Sequence, residues 1–341
     1  MSATDEADGW RAFAKFLGDT RLVSSSHAEI VNDSKGANDM LMMRSTIASL
    51  LAVLAMSSSV YAQSCAGSPV SVQILGSNGP GFNRDRVSAG YLLWTGSQAK
   101  MIVDMGGGTH ARYSQAGAKF TDLSLMAISH LHPDHTSDLP ALMWAGRQSR
   151  NDVLPIVGPS GNEGVPSISV FLRRLFDPKE GAFQVLGATM QPASVNTGVV
   201  HLEPTAVDVT RTEPTKVFDK DGMVVTALGI PHGNIPALAY RVQTNGVSVV
   251  FSTDQTGTNP KFIDFATGAN VLVMHMATDM GNSPTHASPA VVGRVAQSAG
   301  VGRLVVSHLG QFDLNAAVAE LKKSYTGPLT IGADLQCTPV Q

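Results

Sequence analysis

Apolar and polar positions follow two different periods along the chain, and these periods predict its secondary structure. Residues 69–75 alternate apolar with mostly polar side chains, which predicts a half-buried first strand. Short continuous apolar runs bounded by turn residues predict further strands, several of them buried. These predicted strands cover residues 91–94, 100–104, 123–128, 151–159, 206–209, 223–228, 247–254, 271–278 and 304–308.

Two segments between these strands are predicted to be helices. Residues 161–177 place apolar side chains at helical intervals with Arg173 and Arg174 facing outward, and residues 136–148 follow the turn after a buried strand. Strand-rich halves lie on either side of about residue 200, and the chain has no short internal repeat. We therefore expect one α/β domain over residues 63–341.

The N-terminal part of the chain has a different pattern. Residues 1–42 are polar without sustained apolar periodicity, which predicts a non-native or disordered leader. Arg44 then precedes about a dozen mostly apolar residues and a small-x-small ending, the pattern of a secretory signal peptide. Residues 43–62 therefore predict a signal peptide cleaved near Ala62 and a periplasmic or secreted protein. The run is too short to span a membrane, so no span is expected in the mature chain; a buried internal helix is the alternative.

Composition and charge narrow the classes of partner. The chain has 341 residues, of which 43% are hydrophobic and 15% charged, enough apolar content for a packed core. The formal net charge is −3, and no cluster of Lys and Arg supplies the basic face that phosphate-backbone binding needs. Nucleic acid is therefore disfavoured as a principal partner.

The chain contains only two cysteines, and they lie near the ends of the predicted domain. Cys65 follows the predicted cleavage site and Cys337 is close to the C-terminus. In an exported protein these cysteines could form one disulfide that joins the two ends of the domain.

The segment Ser129–His135 provides the strongest candidate chemistry. His130 and His132 stand two residues apart at the end of a predicted strand, so their side chains point the same way and can share one ion. Pro133 ends the strand because it has no N–H, and Asp134 and His135 in the following turn can face a second ion. Imidazole and carboxylate ligands suit zinc, with manganese or iron also compatible. Chance clustering on a surface loop is the alternative.

This segment resembles the signature of the metallo-β-lactamase superfamily, and other segments are similar to its ribonuclease Z and arylsulfatase-like branch. These are the glycine-rich stretch 76–86, the histidine before a Tyr-Arg strand in 229–241, the acid-ended strand 247–254 and the strand ending in histidine at 304–308. The resemblance implies an α/β fold of the αββα sandwich type, with two mixed β-sheets face to face and helices outside. It also implies a homodimer.

The resemblance extends the ligand set beyond the first segment. His232 would join His130 and His132 on a first zinc ion, leaving a fourth position open as in catalytic rather than structural sites. His308 would join Asp134 and His135 on a second ion. Asp254 would bridge both ions, and Thr253 stands before it where the family carries glycine.

Three further residues have roles implied by the resemblance. Asp104 ends a predicted strand where the family carries an acid that supports a metal ligand, and His275 lies in the strand that reads His-Glu-Ala-Thr in ribonuclease Z. His286 matches the family's proton donor, but Met276 replaces the glutamate that supports it, so Asp279 is a candidate partner. A cap for Asp104, a buried structural role for His275 and a solvent-facing role for His286 are the alternatives.

Together these features predict a dinuclear zinc hydrolase that uses a metal-activated hydroxide, with Asp134 and His286 as catalytic side chains. The resemblance favours small-molecule phosphodiester or sulfate ester substrates. Transfer RNA is disfavoured because the chain between Tyr240 and Val247 is too short for the long arm of typical bacterial members. Hydrolysis of a β-lactam or lactone is the alternative reaction, and a metal-binding protein without turnover is the alternative class.

Overall fold

A computed structural model describes Cys65, residues 67–279, Gly281 and residues 283–341. The predicted leader, residues 1–42, and the predicted signal peptide, residues 43–62, lie outside the described residues. Within the described residues, no helix is long and apolar enough to cross a membrane.

The described strands form two seven-stranded sheets. The first has the order β14-β1-β2-β3-β4-β5-β6, antiparallel from β14 to β3 and parallel from β3 to β6. Its strands are β1 Val70–Gly76, β2 Gly90–Thr95, β3 Gln98–Met105, β4 Leu125–Ala127, β5 Val153–Pro159, β6 His201–Val207 and β14 Cys337–Pro339.

The second sheet has the order β13-β12-β11-β10-β9-β8-β7, parallel from β13 to β10 and antiparallel from β10 to β7. Its strands are β7 Thr215–Lys220, β8 Met223–Ile230, β9 Ala237–Thr244, β10 Val247–Phe251, β11 Val271–His275, β12 Arg303–Ser307 and β13 Leu329–Ile331. Both sheets are therefore mixed.

Helices connect the strands in both halves. The α-helices are α1 Thr109–Gln115, α2 Pro133–Thr136, α3 Leu139–Gly146, α4 Ile168–Phe176, α5 Pro260–Ala266, α6 Pro289–Ser298 and α7 Leu314–Lys322. Phe120–Asp122 and Gln184–Met190 form 3₁₀ helices.

Three apolar clusters account for the layers. One cluster joins the facing sides of the two sheets, for example Tyr91 of β2 and Phe251 of β10, whose ring centroids are 5.9 Å apart. A second packs the other side of the first sheet against α3 and α4, and a third packs the other side of the second sheet against α5, α6 and α7. The predicted αββα sandwich with two mixed sheets is confirmed.

The first strand differs from its prediction, because every residue of β1 is buried. Val70, Val72 and Ile74 enter the cluster between the sheets, as their alternation predicts. The opposite face is also covered: Gln73 accepts a 3.0 Å hydrogen bond from Trp94 and donates one of 3.1 Å to the carbonyl of Leu335. The polar side chain of Gln73 is therefore hydrogen-bonded inside the protein rather than to solvent.

Both predicted helices are shorter in the structure. The segment 136–148 is interrupted between α2 and α3. At this interruption the carboxylate of Asp138 accepts hydrogen bonds from the backbone N–H groups of Gly108 and His110 at the start of α1. The segment 161–177 becomes helical only at Ile168, after Ser167, whose hydroxyl accepts from the N–H of Val170 as an N-cap.

Two connections bear on the predictions made from sequence. Cys65 and Cys337 form the predicted disulfide, which closes 272 residues of chain. Strands β9 and β10 are joined by Asn245 and Gly246 alone, both with positive φ, the conformation of a tight type I′ hairpin. The structure therefore has no long arm at this hairpin.

Candidate metal centre

The predicted site residues converge from both halves of the sandwich. His130 and His132 follow β4, and Asp134 and His135 lie in α2. From the second sheet, the segments after β8, β10 and β12 contribute His232, Asp254 and His308. All of these side chains are buried or partly buried. The strands bring these side chains together because the segments that follow them all lie at the same edge of the sandwich.

A first cluster consists of His130, His132, His232 and Asp254. His132 Nδ1 lies 2.9 Å from His130 Nε2 and 3.3 Å from His232 Nε2. Asp254 Oδ2 is 3.8 Å from the Nε2 atoms of His130 and His232. Ligands placed tetrahedrally around zinc at its usual bond lengths are about 3.3 Å apart. The separations therefore fit one ion.

A second cluster consists of Asp134, His135 and His308. His308 Nε2 lies 3.1 Å from His135 Nε2 and 3.2 Å from Asp134 Oδ2. Asp254 Oδ2 is 3.5 Å from His135 Nε2, so the oxygen that faces the first cluster also faces the second. One carboxylate oxygen is therefore placed to bridge two ions.

The outer contacts of the histidines show which ring nitrogen faces inward. His232 Nδ1 lies 2.8 Å from the carbonyl oxygen of Thr285, and His135 Nδ1 lies 2.8 Å from Asp104 Oδ2. A carbonyl or carboxylate oxygen accepts only, so each Nδ1 donates and each Nε2 is the nitrogen that faces the centre, where it can bind an ion once it carries no proton. Several nitrogen lone pairs that face one another at about 3 Å need a cation between them, so the donor set fits metal ions.

Asp104 occupies the position the sequence predicts for it, beneath the second cluster. It is buried and accepts hydrogen bonds of 2.7 Å from both the N–H and the hydroxyl of Ser129, in addition to that from His135. Ser129 Oγ also lies 3.0 Å from His130 Nδ1. Asp104 and Ser129 thus fix the orientation of one histidine in each cluster.

A second buried network lies behind Asp254. His275 Nδ1 is 2.6 Å from Asp254 Oδ1, and its Nε2 is 2.9 Å from the hydroxyl of Tyr91, which is 3.1 Å from Ser307 Oγ. An ionised Asp254 accepts the proton of Nδ1, so the Nε2 lone pair of the neutral ring faces the Tyr91 hydroxyl, which also donates to Ser307 Oγ. His275 therefore holds the carboxylate in place and does not face the first cluster.

Burial determines the charge state of the first cluster. Desolvation lowers the pKa of His130 well below its ordinary value, and neighbouring histidines lower it further. Desolvation also lowers the pKa of His132 and His232. These three imidazoles are therefore neutral near pH 7, the form that binds metal.

Opposite charges determine the state of the second cluster in the metal-free protein. Burial alone would lower the pKa of His135, but the carboxylates of Asp104 and Asp254 raise it well above its ordinary value. Burial would raise the pKa of Asp134, but the hydrogen bond from His308 and the charge of His135 lower it to about 2. The pKa of Asp254 is likewise well below its ordinary value, because the charges of His308 and His135 exceed the effect of burial.

His286 lies at the edge of the centre, with its Nδ1 3.8 Å from Asp254 Oδ2 and its side chain 15% exposed. Burial lowers its pKa to about 4. Among the described residues Nδ1 has no hydrogen-bond partner, so the interpretation of Asp279 as its orienting acid is wrong for this atom. Met276 is buried in the core of the second half, where it supplies only apolar contact.

Tyr91 and Ser129 are site residues that we did not predict. Ser129 stands directly before the histidine motif, and a serine there is a signal that sequence reasoning could have used. Tyr91 lies in an ordinary apolar strand, 184 residues before His275, and no spacing rule connects the two. Only the packing of one sheet on the other brings that hydroxyl to the site.

Comparison with known proteins agrees with this geometry. A model of the beta-lactamase superfamily domain matches residues 103–309. Ribonuclease Z of Mycolicibacterium paratuberculosis is 27% identical over 288 residues, which cover 78% of this chain and 96% of that protein. Ribonuclease Z of Mycobacterium bovis is 25% identical over 292 residues, which cover 77% of this chain and 96% of that protein.

Solved structures show the same fold. The metallo-β-lactamase-fold protein YhfI from Bacillus subtilis has a TM-score of 0.62 and 22% identity, covering 80% of this chain and 99% of its own. The short form of human tRNase Z has a TM-score of 0.61 and 19% identity, with the same shares covered. Because the superfamily domain matches more than half of its length, the chain belongs to the β-lactamase superfamily and is a metal-dependent hydrolase that resembles ribonuclease Z.

Proposed function

We propose that this protein is a dinuclear zinc hydrolase that cleaves phosphodiesters in small molecules. The observation that supports it most directly is the position of Asp254 Oδ2, which lies 3.8 Å from His232 of the first cluster and 3.5 Å from His135 of the second. A shared carboxylate oxygen is the feature that holds two ions about 3.5–4 Å apart in two-metal hydrolysis.

The proposed division of labour follows from the positions of the side chains. His130, His132 and His232 would hold one ion, Asp134, His135 and His308 the other, with Asp254 between them. Bound zinc supplies positive charge that lowers the pKa of water and stabilises negative charge on the substrate. His286 Nδ1, which has no hydrogen-bond partner among the described residues, would hydrogen-bond a substrate oxygen; the negative charge of a bound phosphodiester would raise the pKa of His286 from about 4 toward the protonated form that can protonate the leaving group.

Three observations support a small phosphodiester as substrate. Two relatives that cover 78% and 77% of this chain are ribonucleases by name, which supports phosphodiester chemistry. The tight Asn245–Gly246 hairpin and the net charge of −3 supply neither an arm nor a basic face for a long nucleic acid. A cavity of about 430 Å³ adjoins His232 and is lined by uncharged residues such as Asn162, Thr210 and Asn259, room for one small substituent.

Export is part of the same proposal. The Cys65–Cys337 disulfide supports a periplasmic or secreted location, because such bonds persist in oxidising compartments. Terminal sequencing of protein recovered from periplasm or medium should give a mature chain that begins near Gln63. A chain found only in the reducing cytosol, with both cysteines free, would overturn this part.

The test of function compares three substrate classes on zinc-loaded full-length protein. We expect about two zinc ions per chain and hydrolysis of bis(4-nitrophenyl) phosphate in preference to 4-nitrophenyl sulfate and a chromogenic β-lactam. His132→Ala should abolish turnover and remove one ion. Preference for the sulfate or the β-lactam would replace the phosphodiester assignment, and a metal-loaded protein inert to all three would indicate metal binding without turnover.

A further inference from the structure

We infer that Phe82 is a specificity-determining residue that stacks on a flat, apolar group of the substrate, such as an aryl or nucleobase substituent of a phosphodiester. The inference rests on the proposed function, because it names the class of ester that the same site would accept. Phe82 lies in the loop of residues 77–88, the rim loop, whose hydrogen bonds and neighbours determine how the ring is presented.

The rim loop is closed at its base by one carboxylate. Asp334 Oδ1 accepts hydrogen bonds of 3.0 Å from the N–H of Ser77 and 2.8 Å from its hydroxyl. Asp334 Oδ2 accepts one of 2.9 Å from the N–H of Val87. The N–H of Asn78 also donates to the carbonyl of Val87 at 2.9 Å. The two ends of the loop are thus bonded to each other and to a third segment.

The tip of the rim loop has its own hydrogen bonds. The amide of Asn78 donates to the carbonyl of Gly81 at 2.6 Å, and Asn83 Oδ1 accepts from the N–H of Asp85 at 2.9 Å and of Arg86 at 3.0 Å. Gln311 donates to the carbonyl of Phe82 itself. The backbone on both sides of Phe82 is therefore fixed, and the side chain is presented from a preorganised loop.

Both ends of the rim loop border the second metal cluster. Gly79 donates its N–H to the carbonyl of Leu309 at 3.0 Å, and a Cβ placed on Gly79 would lie 3.5 Å from His308 Nδ1. At the other end, a Cβ on Gly106 would lie 2.0 Å from the carbonyl oxygen of Asp134 and 2.7 Å from Ser88 Cβ. Phe82 follows Gly79 by three residues, which span at most about 11 Å, so its Cα lies within that distance of the glycine that contacts His308.

The Phe82 side chain does not pack in the core of the protein. It is 99% exposed, whereas the next most exposed large apolar residue of the described chain, Val185, is 70% exposed. A single exposed apolar side chain is common on protein surfaces. Phe82 differs because its fully exposed ring stands on a loop that is hydrogen-bonded on both sides of it and that contacts His308 at Gly79. A ring presented in this way is suited to stacking on another flat group.

The experiment measures binding of two phosphonates by calorimetry to zinc-loaded full-length protein. Phenylphosphonate and methylphosphonate share the anionic head group and differ in the flat ring. We expect Phe82→Ala to weaken phenylphosphonate binding by about 5- to 100-fold, the range of one stacking contact, and to leave methylphosphonate binding unchanged. Phe82→Trp should preserve the preference for the ring. Because the side chain packs on nothing, neither variant should change the melting temperature.

Phe183→Ala is the matched control, since Phe183 is also exposed, at 43%, and lies outside the rim loop. Equal loss of affinity for both phosphonates in Phe82→Ala, or the same loss in Phe183→Ala, would overturn the inference. Hydrolysis of bis(4-nitrophenyl) phosphate by the wild type is measured in parallel. Absence of turnover with a retained ring preference would reject the proposed function alone, whereas turnover without a ring preference would reject stacking by Phe82 alone.

Discussion

At the scale of single residues, three side chains of the site stand on left-handed backbone. Asp104, Thr253 and His308 have φ values of 58°, 53° and 52°. Non-glycine residues in this region cost on the order of 1–3 kcal/mol each and persist where the surroundings fix them. Thr253 is fixed by its hydroxyl, which donates to the carbonyl of Leu238 at 2.6 Å. The left-handed conformation turns the chain at the ends of three strands, so that Asp104, His308 and Asp254, the residue after Thr253, point into the centre.

Tyr91 offers the first prediction at this scale. Tyr91→Phe removes the hydroxyl that lies 2.9 Å from His275 Nε2 and thereby loosens the imidazole that orients Asp254. Outer hydrogen-bond partners of metal ligands typically contribute 10- to 100-fold to metal affinity. We therefore expect about that loss in zinc affinity, measured by competition with a chromophoric chelator.

Tyr325→Phe is the control for this change. It removes a hydroxyl that donates to the carbonyl of Pro328 at 3.2 Å, in the core of the second half. Zinc affinity should stay within about twofold of the wild type in this variant. An unchanged affinity in Tyr91→Phe would show that Asp254 is held well enough without the network.

Asp104 allows the two clusters to be separated. Asp104→Asn keeps the shape but replaces one carboxylate oxygen by an NH2 group, which leaves either the N–H of Ser129 or the Nδ1 of His135 without an acceptor. We expect the second cluster to lose about 10- to 100-fold in affinity, and unfolding to become easier by about 1–3 kcal/mol. Zinc titration should show one tight and one weakened site; equal weakening of both sites would contradict the role given to Asp104.

At the scale of secondary-structure elements, the disulfide fixes the edge of the first sheet. Cys337 begins β14, which pairs with β1, and Cys65 lies just before that strand. Closing 272 residues of chain restricts the unfolded state by roughly 5 kcal/mol in the chain-entropy model. Reduction, or Cys337→Ser, should therefore lower the free energy of unfolding measured in urea by up to that amount.

The same experiment also shows where the disulfide acts. Neither cysteine contacts a metal ligand in the described residues, so the zinc content of the reduced folded protein should remain at the wild-type level. Loss of zinc together with the disulfide, at a denaturant concentration where the protein is still folded, would show that the bond shapes the centre as well.

Local sequence signals predicted the elements that hold the first ligands. The apolar run before the histidines predicted β4, but that strand ends at Ala127, so the prediction that Pro133 ends it was wrong; Pro133 instead begins α2. The interruption between α2 and α3 was not predictable, because it depends on Asp138 binding backbone groups 28 and 30 residues earlier in the chain. The full burial of β1 was missed because the partner of Gln73, Trp94, lies on another strand.

In the site, too, local sequence predicted some residues, whereas others depend on distant parts of the chain. The ligands Asp134 and His135 are adjacent to the histidine motif, but His232, Asp254 and His308 were identified only by resemblance to a family. Spacing along the chain does not say which strand ends meet, since this depends on the order of strands in each sheet. The positive φ of Asp104 and His308 was equally hidden, because neither residue type demands it.

At the scale of the whole molecule, each metal cluster draws ligands from both sheets. His130 and His132 come from the first sheet, and His232 and Asp254 from the second. Binding of an ion therefore joins the two halves of the sandwich in the folded state only. Free zinc at 1,000 times its dissociation constant should raise the free energy of unfolding by about 4 kcal/mol per site.

Chelation tests this coupling. Removal of zinc with a chelator should lower the melting temperature measured by calorimetry, and restoring zinc should recover it. His132→Ala should show a smaller zinc-dependent increase than the wild type, because one cluster has lost a ligand. A melting temperature independent of zinc would mean that the folded chain binds zinc no more tightly than the unfolded chain does.

The charges of the two clusters make their metal affinities respond differently to pH. His130, His132 and His232 have lowered pKa values through burial and are already neutral near pH 7, so a first ion displaces no proton from them. His135 has a raised pKa and is protonated in the metal-free protein, so an ion in the second cluster must displace that proton. At pH values below the pKa of His135, each decrease of one pH unit should therefore lower the apparent zinc affinity of the second cluster by up to about tenfold.

Zinc calorimetry between pH 6 and pH 8 in buffers of different ionisation enthalpy measures both quantities. We expect one binding step whose affinity changes little over this range and a second that weakens toward pH 6 and releases about one proton per ion. His135→Ala should remove the proton release together with most of the second step. Two steps with the same dependence on pH would mean that the carboxylates of Asp104 and Asp254 do not hold a proton on His135 in the metal-free centre.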